Sequence, residues 1–139
     1  MKRLVIVCFV VAGVAVSVLA WLALDDFVGI PPRALTATRM WGVKRRILQF
    51  AHSHNQLPYA LSDLPIMTGY DNSVSDEWGR LIAYKVSSSG SVTLTSLGRD
   101  GKIGGSGKDA DMVATFPSQD VQGRWSDELI QWNHDPFSP

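Results

Sequence analysis

Residues Leu4 to Leu24 form an unbroken run of 21 residues without a charged side chain, and no other feature restricts this chain as much. At about 1.5 Å rise per residue a helix of that length spans roughly the 30 Å hydrocarbon core of a bilayer. Lys2 and Arg3 precede the run, and Asp25 and Asp26 follow it. Basic residues favour the cytoplasmic side, so the expected topology is a single span with the N-terminus inside and the rest exported. Trp21 falls near the outer end, where an indole favours the headgroup region. The competing reading is a cleaved signal peptide with a small-residue site at Val18-Leu19-Ala20. Against it stand the length of the apolar run and the bulky Trp21-Leu22 beyond the site. Both readings place the folded part outside the cytoplasm. The expected location is a membrane, with the N-terminus on the cytoplasmic side and the C-terminal domain outside the cytoplasm.

Charge and cysteine content narrow the function. Outside Lys2 and Arg3 the chain carries eleven basic and thirteen acidic residues, a net of −2. That balance gives no electrostatic footprint for nucleic acid. Cys8 lies inside the apolar run, so the exported part has no cysteine with which to form a disulfide. So small a domain gains from a bound metal. No nucleophile elbow, Cys–His pair or carboxylate pair stands out, and the expectation is a non-enzymatic chain with no small-molecule substrate.

Three regions are expected: an anchor and short break over 1–32, a folded domain over 33–116, and a polar tail over 117–139. Gly29 and Pro31-Pro32 interrupt a continuing helix, and Pro32 suits the first position of the next one. From Arg33 to Ser53 the residues Met40, Val43, Ile47, Phe50 and Ala51 recur at helical spacing along one stripe. Arg39, Lys44, Arg45 and Arg46 fall largely on other faces, either as a solvated face or against anionic headgroups. Asn55 suits a left-handed cap and Pro58 stops the helix. His52 and His54, two apart, read as surface and cap residues, and Trp78 as core. Leu81–Val86 and Ser91–Ser96 read as strands joined by Ser87-Ser88-Ser89-Gly90, a hairpin, and Met112–Phe116 as a third strand. Trp125, Leu129 and Trp132 at i, i+4 and i+7 allow a short docking helix in the tail.

The stretch from Ser96 to Asp111 is the candidate site. Asp100, Asp109 and Asp111 fall within twelve residues among Gly98, Gly101, Gly104, Gly105 and Gly107. Calcium takes six to eight oxygens from carboxylates and main-chain carbonyls, and such a loop offers both kinds. It contains no His or Cys, which disfavours zinc and copper. Lys102 and Gly104 break the EF-hand pattern, one nonapeptide repeat cannot stack into a roll, and Lys102 and Asp109 break a P-loop. A solvated glycine loop neutralised by Arg99, Lys102 and Lys108 is the alternative.

The order of blocks carries a resemblance. Asn55-Gln56-Leu57-Pro58 closes a helix, and Asp76-Glu77-Trp78-Gly79-Arg80-Leu81-Ile82-Ala83-Tyr84 precedes a hairpin. Ser96-Leu97-Gly98-Arg99-Asp100-Gly101, Gly104-Gly105 and Asp109-Ala110-Asp111 follow it. Over Thr36 to Met112 this resembles the major pseudopilin of bacterial type II secretion. The family carries a D-P-W-G-x-P-Y-x-Y segment and an S-x-G-x-D-G-x-x-G-G loop closing in D-A-D-I. The resemblance implies an α+β, pilin-like fold: a helix packed on a small antiparallel sheet, with a calcium loop after the hairpin. By position it implies one Ca2+ ion held by Asp100, Asp109 and Asp111 side chains and the Leu97 carbonyl, and protein partners in a secretion or pilus-type assembly. The family's Gly–Phe leader junction and its membrane Glu have no counterpart here, since Gly13 precedes Val14 and position 18 is Val. A stationary anchored protein is therefore expected rather than a filament subunit. The alternative is a stand-alone periplasmic binding or calcium-sensing module that reuses the same domain.

Overall fold

A computed structural model describes residues 29–137 of the chain. The apolar run Leu4–Leu24, and with it the expected span, lies outside them. Among the described residues no helix is long and apolar enough to cross a membrane.

Over the described residues the fold is α+β: one long helix and a four-stranded antiparallel sheet. Helix α1 spans Pro32–His54. Pro32 sits at its start, where its missing N–H costs nothing, and Pro31 accepts the first backbone hydrogen bond from Leu35 at 3.1 Å. Asn55 ends it in the left-handed conformation, φ 52° and ψ 31°, as its residue type favours. The stripe Met40, Val43, Ile47 and Ala51 is buried, with Phe50 packed at its edge.

The sheet is a meander of β1 (Ala83–Val86), β2 (Ser91–Ser96), β3 (Met112–Pro117) and β4 (Gln131–Trp132). Alternation sends Val92, Leu94, Met112, Ala114 and Phe116 inward and leaves Thr93, Thr95 and Thr115 on the other face. Tyr84, Leu94, Ala114 and Trp132 lie in one row across all four strands. This face and the α1 stripe share one core, closed by Leu61, Leu64, Ile82 and Ile130. Between β1 and β2, Gly90 takes a φ of 78° and its N–H returns to the Ser87 carbonyl at 3.0 Å, closing the expected hairpin.

Two expectations are corrected. The tail forms no helix at 125–132. Its Gln131 and Trp132 add β4 to the sheet, Ile130 enters the core, and Gln119 bridges Trp125 in a small hairpin. Residues from Pro31 onward make one compact unit that includes this tail. Two of the α1 cations, Lys44 and Arg46, are not part of a solvated face either, whereas Arg45 is exposed and Arg39 half-buried. Lys44 is 4 % exposed and Arg46 5 % exposed. Lys44 Nζ lies 5.4 Å from the centres of both the Trp41 and Phe116 rings and donates to the Glu128 carbonyl at 2.5 Å. Burial pushes its ammonium below the ordinary lysine value, against the opposing pull of Asp127 and Glu128. Arg46 donates to the carbonyls of Pro65 and Asn72, fastening the 61–76 segment to the helix.

The glycine loop as candidate functional site

The loop begins where β2 ends and closes where β3 begins, so the β2–β3 ladder fixes both of its feet. Ser96 pairs with Met112 at the last rung. Beneath that rung lies Asp76, 1 % exposed, from the Asp-Glu-Trp-Gly block. Its Oδ1 accepts the N–H groups of Trp78 at 3.0 Å and Arg80 at 2.9 Å, and its Oδ2 accepts the Ser96 hydroxyl at 2.7 Å. A carboxylate satisfied on both oxygens is a stable buried group. Asp76 thus locks the turn before β1 to the start of the loop, a role that sequence reading missed.

Tight backbone approach accounts for the glycines. At Gly98, φ +65°, a Cβ would stand 2.6 Å from the Asp109 carbonyl oxygen and 2.8 Å from that of Ala110. At Gly105, φ +84°, it would stand 2.5 Å from the Asp109 oxygen. Only a residue without a side chain fits either place. The neck is stitched by Arg99 N–H to the Lys108 carbonyl at 2.9 Å and Asp111 N–H to the Gly104 carbonyl at 3.1 Å. In return the Gly104 N–H donates to Asp111 Oδ2 at 3.0 Å.

The predicted ligands do different things. Asp100 Oδ1 accepts the Lys102 N–H at 3.0 Å, a local turn. Asp109 receives Arg99 in a forked pair, Nε at 2.8 Å and Nη2 at 3.0 Å. Arg99 thereby holds the Asp109 carboxyl below the usual carboxylate range. Leu97, half-buried, lies beside the Gly98 approach that brings Asp109 and Ala110 to the foot of β2. Asp111 is distinct. Its Oδ1 is buried and has no hydrogen-bond partner. A buried carboxylate oxygen left without a donor costs about 1–3 kcal/mol or more, which a cation removes. An oxygen of this kind is the type of ligand that a hard cation such as calcium takes. Among the described residues, no group of three or more His, Cys, Asp or Glu side chains stands gathered around one point. A metal at Asp111 would have to draw on main-chain oxygens as well, and would take Asp109 only in exchange for Arg99.

Two further arginines attend the loop from outside. Arg33, in the first turn of α1, donates to the carbonyls of Gly107 at 3.1 Å and Ala110 at 2.7 Å. Arg80 donates to the carbonyls of Gly98 at 2.6 Å and Arg99 at 2.5 Å. Asn133, just beyond β4, reaches across: its side chain donates to the Asp111 carbonyl at 3.2 Å and accepts the Val113 N–H at 2.8 Å. Sequence separation hides these contacts; only the position of Arg80, directly after the Asp-Glu-Trp-Gly turn, hints at one.

No curated protein and no solved structure matches the chain. Residues 54–115, somewhat under half of the chain, match the family of type II secretion system protein G. That stretch runs from the end of α1 through the hairpin and the glycine loop into β3. The domain is therefore pseudopilin-like over 54–115, resembling the major pseudopilin as its motifs led one to expect.

Proposed function

We propose that this chain is a structural protein of a type II secretion or pilus-type assembly, held at the bacterial inner membrane with its folded domain in the periplasm. The observation that carries this reading is the protein G match at 54–115, which falls on the helix end, hairpin and glycine loop together. The apolar run Leu4–Leu24 serves as the single span, and its flanking charges set its direction. The role is architectural, through contacts with other proteins of the assembly, without catalysis or a small-molecule substrate.

In this reading the glycine loop takes one calcium ion through Asp111, Asp109, Asp100 and the Leu97 carbonyl. Asp111 Oδ1, buried without a donor, supports that assignment. The ion supplies positive charge among three carboxylates and cross-links the two feet of the loop.

Deletion of the gene from its host tests the function. Proteins that leave the cell by type II secretion should then accumulate in the periplasm, and the full-length gene should restore their export. Undiminished export in the deletion strain would sink the proposal.

A further inference from the structure

The glycine loop is surrounded by guanidinium groups that arrive from three separate places in the chain. Arg33 comes from the start of α1, Arg80 from the turn ahead of β1, and Arg99 from within the loop. Arg33 and Arg80 each donate to two main-chain carbonyls, and together they engage Gly98, Arg99, Gly107 and Ala110, residues on both limbs of the loop. The Arg80 guanidinium also lies so close to Gly101 that a Cβ there would stand 2.6 Å from its Nε. Arg99 takes both oxygens of Asp109.

A divalent ion closes such a loop by collecting carbonyls and carboxylates around one positive centre. Three tethered guanidiniums do the same with a planar fork of donors each, and the chain itself supplies them whatever the ion concentration outside. We propose that Arg33, Arg80 and Arg99 are built-in cations that hold the glycine loop closed with no metal bound. This goes beyond the proposed function and does not depend on its calcium site. Metal at Asp111 adds to a loop that is already shaped, and Arg99 is its competitor for Asp109.

Hydrogen exchange of the full chain in detergent micelles, followed over residues 98–111, tests this. In chelator the Arg99 and Asp111 amides of the unaltered protein should be protected. Arg33→Gln and Arg80→Gln should each speed their exchange by at least about tenfold, the scale of one lost charge-assisted hydrogen bond. The Val92 and Leu94 amides should stay protected in both variants, which shows an intact sheet. Should Arg80→Gln also loosen β2, Arg80→Lys serves instead: it keeps the charge, loses the fork, and should leave intermediate protection. Fast exchange at 98–111 in the unaltered protein in chelator, equal to that of the variants, overturns the proposal. Protection in chelator that the variants lose and calcium does not increase supports it and removes the calcium reading, whereas protection that both variants keep overturns it. Protection that calcium increases further supports both.

Discussion

The Arg46 guanidinium meets the Asn72 carbonyl oxygen at 2.7 Å, across 26 residues of sequence, and so ties a helix to a segment with almost no regular structure. The same group reaches Pro65 at 2.9 Å and the buried Leu64 carbonyl at 3.4 Å. Replacing it with Met would leave these acceptors without donors. Arg46→Met should destabilise the domain by about 2–4 kcal/mol, a fall in melting temperature of roughly 10 °C or more. Arg46→Lys should recover little of this, because an ammonium cannot match the guanidinium fork. Thermal denaturation of both variants checks it. Equal melting of Arg46→Lys and the unaltered chain would contradict the fork argument.

Two glycines of the loop separate steric exclusion from backbone strain. A Cβ at Gly104, φ +96°, meets nothing within 4 Å, whereas one at Gly98 collides with main-chain carbonyls. Gly104→Ala should cost about 1–2 kcal/mol for the strained φ alone. Gly98→Ala adds a clash that only backbone movement relieves, and should cost about 3 kcal/mol or more. Denaturant titration ranks them, and comparable losses would mean that the close approach at Gly98 contributes nothing.

The Asp109 carboxyl is lowered chiefly by its hydrogen bonds from Arg99. A carboxyl whose folded pKa is depressed stabilises the fold fully above its unfolded pKa, about 3.9. That contribution disappears as the pH falls through the lower folded value. Carbon-detected NMR titration should therefore place the Asp109 midpoint below the ordinary carboxylate range. In Arg99→Gln it should return towards that range, and an unchanged midpoint would show that the ion pair does not form in solution.

Calcium, if Asp111 holds it, should raise the melting temperature of the full chain in micelles relative to chelator. Calcium modules outside the cell bind at about 10⁻⁴–10⁻³ M, so millimolar ion is the appropriate dose. A tenfold excess over the dissociation constant stabilises by roughly 1.4 kcal/mol. Magnesium, which demands tighter octahedral geometry, should not substitute. Asp111→Asn should abolish the shift, while Arg99→Gln should enlarge it by releasing Asp109. Identical melting in calcium and chelator, for the unaltered chain and for Arg99→Gln, would eliminate the site.

Elements whose cause is local could be read directly. The Met40–Ala51 stripe, the left-handed Asn55 and the Ser87–Gly90 turn each follow from neighbouring residues, and each appears as expected. The tail misled because Trp125, Leu129 and Trp132 share helical spacing by coincidence. Pairing of Gln131 and Trp132 with β3, a contact from a different part of the chain, decides their conformation. Lys44 and Arg46 misled for a related reason: their charge predicts exposure, but carbonyls from the 64–72 segment and from Glu128 accept their protons. At the loop, glycine and aspartate positions were legible, whereas Arg33 lies 74–77 residues from the carbonyls it holds. No short-range rule connects such partners.

Strand β4 is only two residues long, and its place at the border of the sheet gives it a protective duty. It covers Ala114 and Thr115 of β3, and Asn133 just beyond it occupies the N–H and C=O of Val113. A chain clipped before Gln131 would uncover the Val113–Thr115 edge of β3 and leave its backbone groups unsatisfied, a template onto which another chain can add. Proteolytic trimming of the last nine residues should thus favour self-association of the domain, and purification strategies that cut or fuse at this end act directly on that guard.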